Sequence, residues 1–250
     1  MRLKLIACKV LCRELCELSA PSEHIVDLTL IRQGYHNEPE TLRRILQETI
    51  DGIDAGDAPD PFLSHQNTRT DFILLGYGLC SGGVTGVSSK KYPLVIPRAH
   101  DCITLLLGSK ERYRELFAKY SGHAYWYTPG WIENTPMPGK DRQHQLLSRY
   151  TEAYGEDNAV FLMETEQAWY RDYRYAAYIK PHNGSYPDYR IFTKECAEFL
   201  GWSYAEEQGD ISLLQRFLSG HWDETDFLIV PPGKSAVPSY DEKIITLSDA

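Results

Sequence analysis

The chain has 250 residues and a formal net charge of −9, with 42% hydrophobic and 24% charged residues. That length can bury a sizeable core, as one α/β domain over 1–250 or as two smaller halves. The acidic balance argues against nucleic acid as a partner, because such a surface needs clustered Lys and Arg, and no run approaches the roughly 18 apolar residues of a membrane helix.

The opening MRLKLIACKVLC is apolar only as far as Ala7. That is too short for the roughly 7–15-residue core of a secretory signal, and no small-residue cleavage pattern follows. It reads as a first strand over 3–8, and a cytoplasmic location is expected. In a reducing compartment the six cysteines are free thiols, and their spacing matches no CxxC ribbon or finger.

A helix over 10–18 follows, with Leu11, Leu15 and Leu18 on its core side and Glu14 on the other face, as a solvated charge first and otherwise as a group reaching toward a crevice at the strand ends. Cys12 and Cys16 lie one turn apart on that helix. They are either a chelating pair or, more simply, small buried hydrophobes. A second strand over 25–31 leads through Gln33-Gly34-Tyr35-His36-Asn37 to a helix that starts near Pro39, a good first helical residue. Residues 54–70 are rich in Asp, Pro and Gly and read as a surface loop.

Residues 71–108 are the centre of the functional reading. Two short apolar runs, 72–75 and 92–96, read as buried strands of a mostly parallel sheet. The first is followed by a loop carrying Gly76, Gly78, Ser81, Gly82 and Gly83 around Cys80, suited to close backbone approach by a bound cofactor or small molecule. The second is followed by His100, Asp101 and Cys102. Asp101 can cap a helix whose first turn holds Cys102, where the helix dipole favours a thiolate.

A helix over 110–119 is expected to turn Tyr113, Leu116 and Phe117 inward, before a strand over 124–127. The polar stretch 132–142 can join two halves, 1–131 and 143–250. Beyond it the pattern gives helices near 143–154 and 158–173, strands over 175–179, 202–206 and 226–230, and helices over 189–200 and 211–218. Cys196 falls mid-helix and reads as core. The fold class is therefore α/β, three-layer, with a predominantly parallel sheet, Rossmann-like alternation and two similar halves as an option.

Ligands of open α/β sheets bind at the strands' carboxyl ends, which is where Cys8, Cys80, His100 and Cys102 should converge. Three thiols and an imidazole suit zinc or another thiophilic transition metal. Without a metal, Cys80 and Cys102 can act as acid and base or as nucleophile and partner, with His36 as a further acid/base candidate on a small-molecule substrate. The glycine loop is also compatible with a non-catalytic site for a small anion, or with an accessory protein. The dinucleotide fingerprint is incomplete, since Ser81 stands at its third position, and no P-loop, GxSxG or HExxH motif occurs.

The segments IACKVLCREL, QGYHNEPETLRRILQETID, LLGYGLCSGGVTGV, PRAHDCITLLLGSKERY, YGEDNAVFLME and GDISLLQRFLSGHWDETDFLIVPPG together resemble domain of unknown function 1638 over nearly the whole chain. The resemblance implies an occurrence in anaerobic bacteria and methanogenic archaea near corrinoid-dependent methyltransferase genes. A corrinoid protein or a methyltransferase is thus an expected partner. It assigns no catalytic residue.

Overall fold

A computed structural model describes residues 1–56 and 69–248; most of the surface loop expected over 54–70 lies outside them. In chain order the elements are β1 (Arg2–Cys8), α1 (Cys12–Ser19), β2 (Ile25–Ile31), α2 (Pro39–Ala55), β3 (Phe72–Gly76), β4 (Leu94–Pro97), α3 (Cys102–Leu107), α4 (Lys110–Lys119) and β5 (Ala124–Tyr127). There follow α5 (Pro129–Asn134), α6 (Lys140–Tyr154), α7 (Glu156–Glu166), β6 (Tyr175–Lys180), α8 (Arg190–Leu200), β7 (Ser203–Gln208), α9 (Ser212–Ser219), β8 (Phe227–Val230), β9 (Ala236–Pro238) and β10 (Ile245–Leu247). The class is α/β, three-layer and mainly parallel. Two compact units form: Met1–Lys110 with Asp210–Ala250, and Glu111–Gly209. The first is assembled from both ends of the chain. The polar stretch 132–142 lies inside the second rather than joining two halves.

The sheet of the first unit has the order β2-β1-β3-β4-β8. Its first four strands are parallel, and β8 runs antiparallel along β4, with Leu94 opposite Val230. Strand side chains alternate between faces, so Ile6, Ile73, Leu75, Leu94 and Ile96 share one face, where they pack with Leu42, Leu46 and Ile50 of α2. Leu3, Leu5, Leu74 and Val95, equally buried, point to the opposite face. Burial on both faces is what a parallel sheet between helix layers requires.

The second unit has a parallel sheet in the order β5-β6-β7. Its core gathers Tyr127, Met137, Tyr178, Cys196 and Ala197, and the Tyr127 hydroxyl donates to the Pro138 carbonyl at 2.7 Å. Glu207 on β7 is buried and takes charge-assisted bonds from Arg112 (2.9 Å) and Lys119 (2.5 Å), together with the Tyr120 hydroxyl (2.6 Å).

Local chemistry overrides the sequence pattern at several places. Phe117 is 57% exposed, because α4 buries a single row, at Leu116. Thr128-Pro129-Gly130, directly after β5, starts a short helix, α5, that the sequence pattern does not single out: the Thr128 hydroxyl accepts from the Trp131 N–H at 3.1 Å, and Pro129 takes a first-turn position. The helix expected over 158–173 stops at Glu166, followed by a 3-10 turn, Ala168–Asp172. Glu14, expected on the solvent face, is 5% exposed. The β9–β10 pair, three residues to a strand, carries too little alternation to stand out.

Leu46 is fully buried between α2 and the sheet, whereas Ile25 at the start of β2 is 58% exposed. In urea unfolding, Leu46→Ala should lower stability by about 2–5 kcal/mol, while Ile25→Ala should stay within about 0.5 kcal/mol of wild type.

Candidate functional site: a thiol crevice at the β1/β3 switch

From β1 the first unit's chain winds outward to β2, then crosses back to β3 and continues to β4. The winding direction reverses between β1 and β3, and in open α/β sheets this opens a crevice at the strands' carboxyl ends. Cys8 is the last residue of β1. The segment Tyr77–Gly83 leaves β3, and Arg98–Asp101 leaves β4. Two backbone bonds tie these segments together: the Leu79 N–H donates to the Ala99 carbonyl at 2.7 Å, and the Cys80 N–H to the His100 carbonyl at 3.0 Å. The 3-10 turn Tyr35–Asn37, which follows β2, packs against the turn Cys80–Gly82.

The loop after β3 is held in a costly conformation. Cys80 (φ 46°) and Ser81 (φ 57°) both lie in the left-handed region, ahead of Gly82 (φ 89°). For a non-glycine residue that region costs roughly 1–2 kcal/mol. Burial pushes the Cys80 thiol up to about 12; Asp101 and Cys8 push the same way, and only the Gly78 N–H opposes them. Burial likewise raises the Cys8 thiol, with the Val10 N–H opposing.

Tyr77 is 4% exposed, and its hydroxyl has no hydrogen-bond partner among the described residues. Its ionisation is driven well above the ordinary phenol range, first by burial and then by the proximity of Cys8, Cys80 and Cys102. His36 moves the other way. Burial lowers its pKa and outweighs the opposing pull of Asp101, so the imidazole is neutral near pH 7.

Asp101 has a structural task as well. Its Oδ1 accepts from the Ile103 and Thr104 N–H groups at 3.0 and 3.2 Å, capping α3. Cys102 is therefore the first residue of α3, as the sequence indicates, and it is buried.

The structure brings Cys8, Cys80 and Cys102 to one neighbourhood around Tyr77, with His36 and Asp101 beside it. His100 is exposed and engages the loop through its carbonyl. Among the described residues, no three His, Cys, Asp or Glu side chains are placed to hold a metal ion. The expected ligand set Cys8, Cys80, His100 and Cys102 is thus not assembled as a coordination shell.

The glycine pattern has a packing explanation. A Cβ on Gly76 would meet the Ala7 Cβ at 2.6 Å, and one on Gly78 would meet the Asp101 nitrogen at 2.5 Å and the Ala99 carbonyl oxygen at 2.8 Å. Gly83 faces Leu42 in the same way. Neighbouring backbone and core side chains, rather than a cofactor, fill the space at these positions. Tyr77 is the residue that sequence reasoning missed. Its signal was an aromatic set between two glycines directly after a buried strand.

A family model described as a protein of unknown function (DUF1638) matches residues 30–218. No curated protein and no solved structure matches the chain.

A thiol held near 12 has few thiolates at neutral pH, although its thiolate is the more nucleophilic for its higher pKa. With iodoacetamide at pH 7.5, Cys80 should react roughly 10- to 100-fold more slowly than the exposed Cys16. Peptide mass spectrometry of a time course reads this directly, and equal rates would contradict a protonated, desolvated Cys80 thiol.

Proposed function

The chain belongs to the DUF1638 family, and from that premise we propose that its first unit binds a small molecule in the β1/β3 crevice and moves protons on it. The observation that carries this reading is the Tyr77 hydroxyl, buried without a partner among the described residues at the position where three strand ends present thiols. An unsatisfied buried polar group costs about 1–3 kcal/mol, and a ligand with a polar atom at that point would offset the cost.

The flanking groups suit acid/base work because their environments push them apart. Neutral His36 is the base, and the protonated Cys80 thiol is the acid. A proton taken by His36 from one ligand atom and one given by Cys80 to another leave the protein's proton count unchanged. Cys102 and Tyr77 orient the ligand.

The direct test is deuterium exchange in heavy water with a panel of small carboxylic acids and amides carrying acidic C–H bonds, followed by proton NMR. Exchange above the level of a His36→Gln/Cys80→Ser variant supports the reading; equal rates for wild type and variant across the panel sink it. A second reading places zinc or another thiophilic metal on Cys8, Cys80 and Cys102 with His100, favoured by the three thiols that flank one phenol. Metal bound stoichiometrically to anaerobically purified wild type, and lost in Cys80→Ser, would put that reading first. A role beside corrinoid-dependent methyl transfer, with a corrinoid protein or methyltransferase as partner, is proposed on the family resemblance.

Two further outcomes follow. Tyr77→Phe should keep or raise stability, by up to about 3 kcal/mol, because it removes a buried group with no partner among the described residues; a clear loss in thermal unfolding would mean that the hydroxyl is satisfied. His36 is depressed in the fold, so the stability it contributes is complete above its unfolded value of about 6.5 and is lost as pH falls below that value. His36→Gln should flatten the stability profile below about pH 6.5, measured by urea unfolding at a series of pH values.

A further inference from the structure

Outside the crevice, the first unit carries a second pair of thiols. Cys12 and Cys16 stand one turn apart on α1 with their sulfurs 3.9 Å from each other. Cys16 is exposed and Cys12 half-buried. Leu11 and Leu15, both fully buried, fix the adjoining face of this turn in the core. The expectation of small buried hydrophobes therefore fails for Cys16: the stripe beside it is buried, and its own side chain is not.

We propose that Cys12 and Cys16 form a bidentate thiolate site for a soft divalent cation of the zinc and cadmium class, separate from the crevice. A tetrahedral ion with bonds of about 2.3 Å to sulfur spans about 3.8 Å between two of its ligands. The observed separation matches that bite without a change of helix geometry. Soft thiolates select such ions over magnesium or calcium, and water completes the coordination.

Binding forms two metal–sulfur bonds and releases two protons to solvent, with no change of oxidation state. Two basic side chains, Lys9 and Arg13, lie near the Cys12 thiol. Two thiolates at this distance repel each other unless a positive ion sits between them. A divalent ion supplies what the two basic neighbours do not.

The test titrates the full chain with cadmium under anaerobic conditions with a phosphine reductant, following the ultraviolet thiolate-to-metal band. One equivalent should bind to wild type, to Cys80→Ser and to Cys196→Ser. Cys12→Ser and Cys16→Ser should each bind at least about tenfold more weakly, and the double variant should lose that equivalent. Because both positions tolerate a polar side chain, far-ultraviolet circular dichroism should show all variants folded. Wild type that binds no cadmium, or a folded double variant that binds it as tightly as wild type, overturns the proposal. Loss in Cys80→Ser alone would place the ion in the crevice instead.

Discussion

The first unit depends on the close approach of the two loops that leave β3 and β4. The paired bonds from Leu79 and Cys80 to Ala99 and His100 fix one loop against the other, and the lack of a side chain at Gly78 lets the backbones approach within contact of Asp101. Any side chain at 78 would push them apart. Separation would break both hydrogen bonds, withdraw Asp101 from the Cys80 turn and open the packing of Tyr77. The geometry of the crevice is thus set by backbone, and its side chains inherit their positions.

That inheritance explains the chemistry of the site. Glycine-rich loops and helix N-termini usually make anion sites and reactive thiolates, and both features occur here. Burial decides otherwise for Cys80, since the bonds that order the loop also sink the sulfur beside the Asp101 carboxylate and the Cys8 thiol. The partial positive charge at the start of α3 is met by the Asp101 cap. Asp101 thereby favours a protonated thiol on one side and pulls a proton toward His36 on the other, where desolvation still prevails.

Much of the fold was legible in the sequence. The bounds of β2 and β5 follow from apolar runs between turn residues, and Asp101 announced the start of α3. Leu11 and Leu15 set the core face of α1 through a spacing of four. What escaped was set by partners distant in sequence or by single caps: the burial of Glu14, the exposed Phe117, and α5 nucleated by Thr128. The candidate site was legible as a location, because strand ends of a parallel sheet gather there whatever their sequence. Its chemistry was not. Spacing could place Cys8, Cys80, His100 and Cys102 near one another, but not say that His100 would turn outward or that glycines read as a cradle would be demanded by Ala7, Asp101 and Leu42. The flanking glycines could mark Tyr77, but neither the lack of a partner for its hydroxyl among the described residues nor the depressed histidine has a one-dimensional signature.

The energetics of the loop argue that it carries more than the fold. Two consecutive non-glycine residues in the left-handed region, Cys80 and Ser81, cost roughly 1–2 kcal/mol each, and the Tyr77 hydroxyl adds about 1–3 kcal/mol. Together these approach the lower end of the 5–15 kcal/mol by which domains of this size are stable. Two of these three costs are removable by one change each, to glycine at 81 or phenylalanine at 77, without disturbing the bonds that hold the loop. Under selection for stability alone, both positions would drift toward the cheaper residue. Strain concentrated in one turn, beside a buried polar atom that faces three thiols, is the pattern of a site whose groups are held ready for something outside the chain.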